Sequence, residues 1–209
     1  MISVAEARRL YESADAVHDF DHVLRVLMLA ERIASAEDAD LRIVRTAALL
    51  HDVGRLETEA AGMDHAAAAA ERAREILADR PPLTVEAVCH AIAAHRFRTE
   101  PQPVTLEAQV LFDADKLDAI GAVGIARAFA YGGAHGQRLW AAMESVDLER
   151  WQAEGDDPGT HTPVHEFVVK LCRIRDLLYT PTGRLIAASR HDYMVSFFER
   201  LGHEIRGAV

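Results

Sequence analysis

The chain has 209 residues, half of them apolar and about a quarter charged, enough to bury a substantial core. Acidic residues outnumber basic ones 33 to 23, for a formal charge of −10, and such a surface repels nucleic-acid backbones and anionic lipids. No stretch approaches the ~20 consecutive apolar residues of a membrane span.

The N-terminal "MISVAEARRLYESADAVHD" lacks the uninterrupted apolar run of a signal peptide. Apolar residues at three- and four-residue spacing then predict an amphipathic helix from His22 to Glu37. "DADLRIVRTAALLHDVG" follows, with an acidic first turn and a glycine stop. Next come "HAAAAAERAREILADR", halted by Pro81 and Pro82, and "TVEAVCHAIAAHRF", with Thr84 as the expected cap. The alanines of the former permit close helix packing. "TLEAQVLFDADKLDAIGAVGIARAFAYGG" reads as one helical stretch ending at paired glycines. The pattern lapses between about Gly132 and Pro163, a stretch too long for an idle connection. It reads either as a lid carrying Arg138, Trp140 and Trp151 or as a surface excursion anchored by its tryptophans. "PVHEFVVKLCRIRDLLY" and "TGRLIAASRHDYMVSFFERLGHEI" close the chain as helices. Cys89 and Cys172 fall in apolar helical patterns without metal-ligand spacing, so reduced thiols and a cytoplasmic location are expected. No alternation long enough for a strand occurs. The expectation is an all-α, single-domain chain.

Chemistry enters where polar residues interrupt the apolar faces. His22 opens one helix, His51 and Asp52 end the next, His65 opens the third and His95 ends the fourth. The fifth supplies Asp113, Asp115 and Asp118. Neighbours on a helix lie ~100° apart, so His51 and Asp52 can converge on one ion only at a helix end or in a wide pocket. A cation is favoured there by the negative end of the helix dipole. Imidazole with carboxylate, and no thiolate, suits Mn, Fe, Co, Ni or Zn better than Ca.

The order of His22, His51-Asp52 and Asp115 resembles the H…HD…D signature of the HD superfamily of metal-dependent phosphohydrolases. "HDFDHVLRV", "AALLHDVGR", "HAIAAHRF" and "DADKLDAIGAVGIARAFAYGG" resemble consecutive blocks of bacterial HD-domain hydrolases of the YedJ/YpgQ type. "EFVVKLCRIRDLLYTPTGRLIA" continues the likeness, so it covers most of the chain. The resemblance implies a helical bundle over residues 1–209, with a core at about 18–131 and C-terminal helices at about 163–206 packing on it. It implies that His22, His51, Asp52 and Asp115 ligate one divalent transition metal. His65 and His95 match positions that, in some HD proteins, hold a second metal or contact substrate phosphate.

The implied activity is hydrolysis of a phosphate ester or anhydride in a small nucleotide, with nucleoside triphosphate pyrophosphohydrolysis as the leading expectation. Asp52 and Lys116 are expected in catalysis, Lys116 by neutralising phosphate. His65, His95, Arg25 and Asp118 are expected near the substrate. Each has a plainer alternative: a capping histidine, a surface arginine, a helix-surface carboxylate. Asp113 reads as solvated or capping, and His18 and Asp19 as capping the first of these helices. A phosphomonoesterase, a phosphodiesterase or a non-catalytic nucleotide sensor are the alternatives in function. The sequence leaves room for a homodimer.

Overall fold

The structure, a computed structural model, describes residues 2–11, 20–55, 58, 62, 64–96, 100–143, 146–148 and 161–208. Among them every regular element is helical and no strand occurs. The chain is all-α. Its contacts gather into two compact units, Met1–Lys116 with Leu178–Gly183, and Leu117–Leu177 with Arg184–Val209.

The first unit begins with α1 (Val4–Arg8), too short to show a helical period in the sequence. Ser3 and Glu6 form a reciprocal capping box that satisfies backbone donors at its start. In α2 (Phe20–Glu37) the buried residues Val23, Val26, Leu27, Ala30, Ile33 and Ala34 keep the three-four spacing expected of them. The partner of α2 is α3 (Leu41–Leu50), opened by Asp40, whose carboxylate accepts from the amides of Arg42 and Ile43.

Next, α4 (His65–Ile76) lies against α5 (Pro82–Ala93), and α5 also packs on α3. Ala66, Ala69, Ala70 and Ala73 are the buried stripe of α4, small enough for its backbone to come close. The Cys89 thiol of α5 donates to the Ala70 carbonyl at 3.3 Å. Thr84 is not the cap of α5. The helix starts earlier because Pro82 occupies its first turn, where a missing N–H costs nothing and the fixed φ helps.

The expected long helix over 105–133 is two helices, α6 (Leu106–Asp118) and α7 (Gly121–Ala134). Ile120 is extended and Gly121 takes φ 78°, so the helical hydrogen bonds cannot run through. Asp113 of α6 is fully buried and accepts from the Tyr179 amide at 2.9 Å, the Thr180 amide at 2.8 Å and the Thr180 hydroxyl at 2.6 Å. Glu37 accepts from the Thr182 amide at 2.7 Å. Segment 178–183 is thereby tied to the first unit at the start of α9 (Pro181–Ile205). The Thr180 hydroxyl in turn accepts from the Gly183 amide, and a Cβ on Gly183 would sit 2.4 Å from an Asp113 oxygen.

In the second unit α7 packs on α8 (Pro163–Val169), which continues into a 3₁₀ segment, Leu171–Leu177. Phe129, Phe167, Phe197 and Phe198 form an aromatic cluster, with Phe167 stacked on Phe198 at 4.3 Å. Trp140 comes so close to α9 that a Cβ on Gly202 would lie 3.1 Å from its ring. This contact makes Trp140 an anchor of the irregular stretch. Trp151, His18 and Asp19 lie outside the described residues.

Candidate metal centre

Four helices of the first unit deliver histidines to one place. His51 is the C-cap of α3 and Asp52 follows in the turn that closes at Gly54, whose φ is 75°. Leaving the helix is what lets two adjacent side chains face the same point. His22 comes from the first turn of α2, His65 from the first residue of α4, and His95 from just beyond α5. His22, His51, Asp52, His65 and His95 are all buried. His51, His22, Asp52 form one set of potential ligand atoms within 4.8 Å of one another, and Asp52, His65, His95 form another.

Asp52 joins the two sets through its two oxygens. Oδ2 lies 3.7 Å from both His22 Nε2 and His51 Nε2, while Oδ1 lies 3.8 Å from both His65 Nε2 and His95 Nε2. Asp115 adds its Oδ1 at 3.5 Å from His22 Nε2. Asp113 and Asp115 are separated by about 200° around α6, so one can hold segment 178–183 while the other faces the histidines.

The protonation pattern follows from the carbonyls. His51 Nδ1 is 2.8 Å from the Ala48 oxygen and His95 Nδ1 is 2.6 Å from the Ile92 oxygen. A carbonyl only accepts, so both Nδ1 atoms must carry the proton and a neutral ring turns its Nε2 lone pair inward. Burial pushes His95 down to about 3, which keeps it neutral. Burial pushes the Asp52 carboxyl up, but its neighbours His51, Arg55 and His95 outweigh this and hold the group well below the carboxylate range. Asp115 behaves likewise: burial raises it, and Lys116 and the hydrogen bond with His22 bring it far lower.

Inward lone pairs thus confront an ionised carboxylate, and Asp52 Oδ1 is buried without a hydrogen-bond partner. Such an oxygen costs free energy unless a cation meets it. The donor set and its unmet acceptor therefore fit a divalent metal.

Among the other residues singled out from sequence, Lys116 places Nζ 2.6 Å from Asp115 Oδ2 and 5.1 Å from the Phe112 ring centroid. Arg25 stands one turn beyond His22, partly exposed. Asp118 is buried in the second unit, where its carboxylate pairs with Arg127 at 3.1 Å. Arg55, which the helical periodicity does not single out, donates from its guanidinium to Asp52 Oδ2 at 2.7 Å. Its signal was the i,i+3 spacing from Asp52 in a tight turn. Tyr11, likewise unmarked in the sequence, donates from its hydroxyl to the Leu49 carbonyl at 3.0 Å.

A family model described as HD domain matches residues 19–120. The uncharacterized protein YpgQ of Bacillus subtilis is 34% identical over 194 residues, 91% of this chain and 85% of YpgQ. The crystal structure of YpgQ in complex with ADP superposes with a TM-score of 0.73 at 31% identity, covering 99% of this chain and 100% of that one. An HD-superfamily hydrolase from Bacillus thuringiensis gives a TM-score of 0.76 at 28% identity, over 97% and 94% of the two chains.

Proposed function

The chain belongs to the HD-domain family, and from that premise we propose that it is a divalent-metal-dependent phosphohydrolase acting on a small nucleotide. The observation that carries this reading is Asp52, with each of its oxygens facing two imidazole Nε2 atoms and Oδ1 left without a donor. In this reading His22, His51, Asp52 and Asp115 hold one ion, and Asp52, His65 and His95 can hold a second. A bound divalent ion supplies Lewis acidity, which acidifies water and draws charge from phosphoryl oxygens.

The rest falls to the chain's own groups. His51 and His95 are fixed in one tautomer by their Nδ1 hydrogen bonds, so the ligand lone pairs are set in advance. Lys116, and Arg25 from the neighbouring turn, supply positive charge for a phosphoryl group whose oxygens gain charge during transfer. In this reading the histidines and aspartates of the ligand blocks are committed to the ion, so water attacks phosphorus directly and no covalent enzyme intermediate forms. The relative captured with ADP supports a nucleotide as substrate. We favour nucleoside triphosphate pyrophosphohydrolysis, in a cytoplasmic protein.

A nucleotide panel assayed with added Mn, reading phosphate and pyrophosphate separately, tests the assignment. Pyrophosphate from a nucleoside triphosphate, with one heavy oxygen entering product from labelled water, is the expected result. Phosphate release from nucleoside monophosphates, with the triphosphates left intact, would instead indicate a phosphomonoesterase. Binding without release of either would make the protein a sensor.

A further inference from the structure

Two cations rest on the two carboxylates of the centre. Arg55 Nη1 is 2.7 Å from Asp52 Oδ2, and Lys116 Nζ is 2.6 Å from Asp115 Oδ2. Both pairs are shielded: Asp52 is 6% exposed, Asp115 and Lys116 16%, and Arg55 23%. With the imidazoles as neutral ligands, these four side chains balance in charge. Metal ligation requires the carboxylates ionised and the histidines neutral, so a divalent ion adds two uncompensated positive charges to a largely dry pocket. Nearby Arg55 and Lys116 then face a like charge, and their present partners are engaged by the ion.

We infer that Arg55 and Lys116 are exchangeable counter-charges, which neutralise Asp52 and Asp115 before metal binds and turn to the anionic phosphate afterwards. The inference rests on the metal reading above and adds a consequence to it. Metal and phosphate bind with positive coupling carried by these two side chains. Arg55 competes with metal for the Asp52 oxygen, so removing it strengthens metal binding in the absence of an anion. An arginine that merely orients Asp52 for the ion has the opposite signature, because losing such a support weakens metal affinity, typically by about 10–100-fold.

Calorimetric titration of Mn into the metal-stripped full-length protein separates the two, with and without inorganic phosphate and corrected for Mn–phosphate association in buffer. For the unaltered protein phosphate should tighten Mn binding by roughly tenfold or more, and Mn should tighten phosphate binding by the same factor. Arg55→Gln should bind Mn alone at least as tightly as the unaltered chain and lose most of the phosphate coupling. Arg55→Lys should restore the coupling, and Lys116→Gln should lower it while leaving Arg55 in place. Melting curves of each metal-free variant accompany the titrations; if Arg55→Gln does not fold, Arg55→Lys and Lys116→Gln carry the comparison. Weaker Mn binding by Arg55→Gln, or full coupling in both Gln variants, overturns the inference and leaves the metal site standing. No Mn binding by the unaltered protein overturns both.

Discussion

A carboxylate lodged among four imidazoles, with Arg55 on one oxygen and no donor on the other, is a costly arrangement in a metal-free chain. Its existence argues that the cost is recovered on binding a cation. His51→Ala and Asp52→Ala should therefore strip the protein of tightly held metal in elemental analysis, whereas His65→Ala or His95→Ala should remove only the ion those residues hold. In the unaltered chain, Mn at 1,000 times its Kd should stabilise by about 4 kcal/mol. For a chain of this size that is a rise in Tm of roughly 8–16 °C, and the Asp52→Ala protein should show none of it. At this scale the sequence was informative because His and Asp on apolar faces stand out. His22, His51, Asp52, His65 and His95 arrive in one place, with Asp115 beside His22. Arg55 does not stand out in the same way, since an arginine just past a helix end reads as a solvated terminus. Asp113 reads as solvated or capping because its donors, Tyr179 and Thr180, lie 66 and 67 residues away, yet it is fully buried.

Among the elements, those with a strong three-four pattern were found close to their true bounds. α2 and α9 depart from expectation by a residue or two at their starts. Errors gathered where local conformation, rather than periodicity, decides. Gly121 divides α6 from α7 through a positive φ, and the helical pattern across 163–179 conceals a change from α to 3₁₀. The most exacting junction is at the start of α9. Gly183 is required there by space, since a methyl group would meet the Asp113 carboxylate at 2.4 Å and the Thr180 hydroxyl at 2.8 Å. Overpacking of this kind costs about 1–3 kcal/mol, and Gly183→Ala should lower the urea midpoint accordingly. An unchanged midpoint would mean that the junction yields without loss.

For the molecule as a whole, one half-buried acid makes a definite contribution to pH dependence. Burial tends to raise the Glu166 carboxyl, but hydrogen bonds from His161 and Lys170 bring it from an ordinary 4.5 down to about 2. A group whose value is lower folded than unfolded stabilises fully above the unfolded value and loses that effect as pH falls through the folded one. Stability should thus decline between about pH 4.5 and 2, and Glu166→Gln should flatten that part of the urea-midpoint profile. An identical slope in the variant would assign the acid sensitivity to other groups. The tie between Asp113 and Thr180 has a further consequence, for the order in which the chain is made. All six His and Asp residues of the centre have been synthesised by residue 115, yet the first unit includes Leu178–Gly183. A nascent chain emerging from the ribosome holds every ligand long before it can seal α6, and until Thr180 appears the Asp113 carboxylate lacks three of its native donors. A chain ended at Leu177 should therefore melt at lower temperature and bind Mn more weakly than the full one, although it keeps each ligand. Equal binding by the shortened chain would show that the centre assembles during synthesis, before the last helix exists.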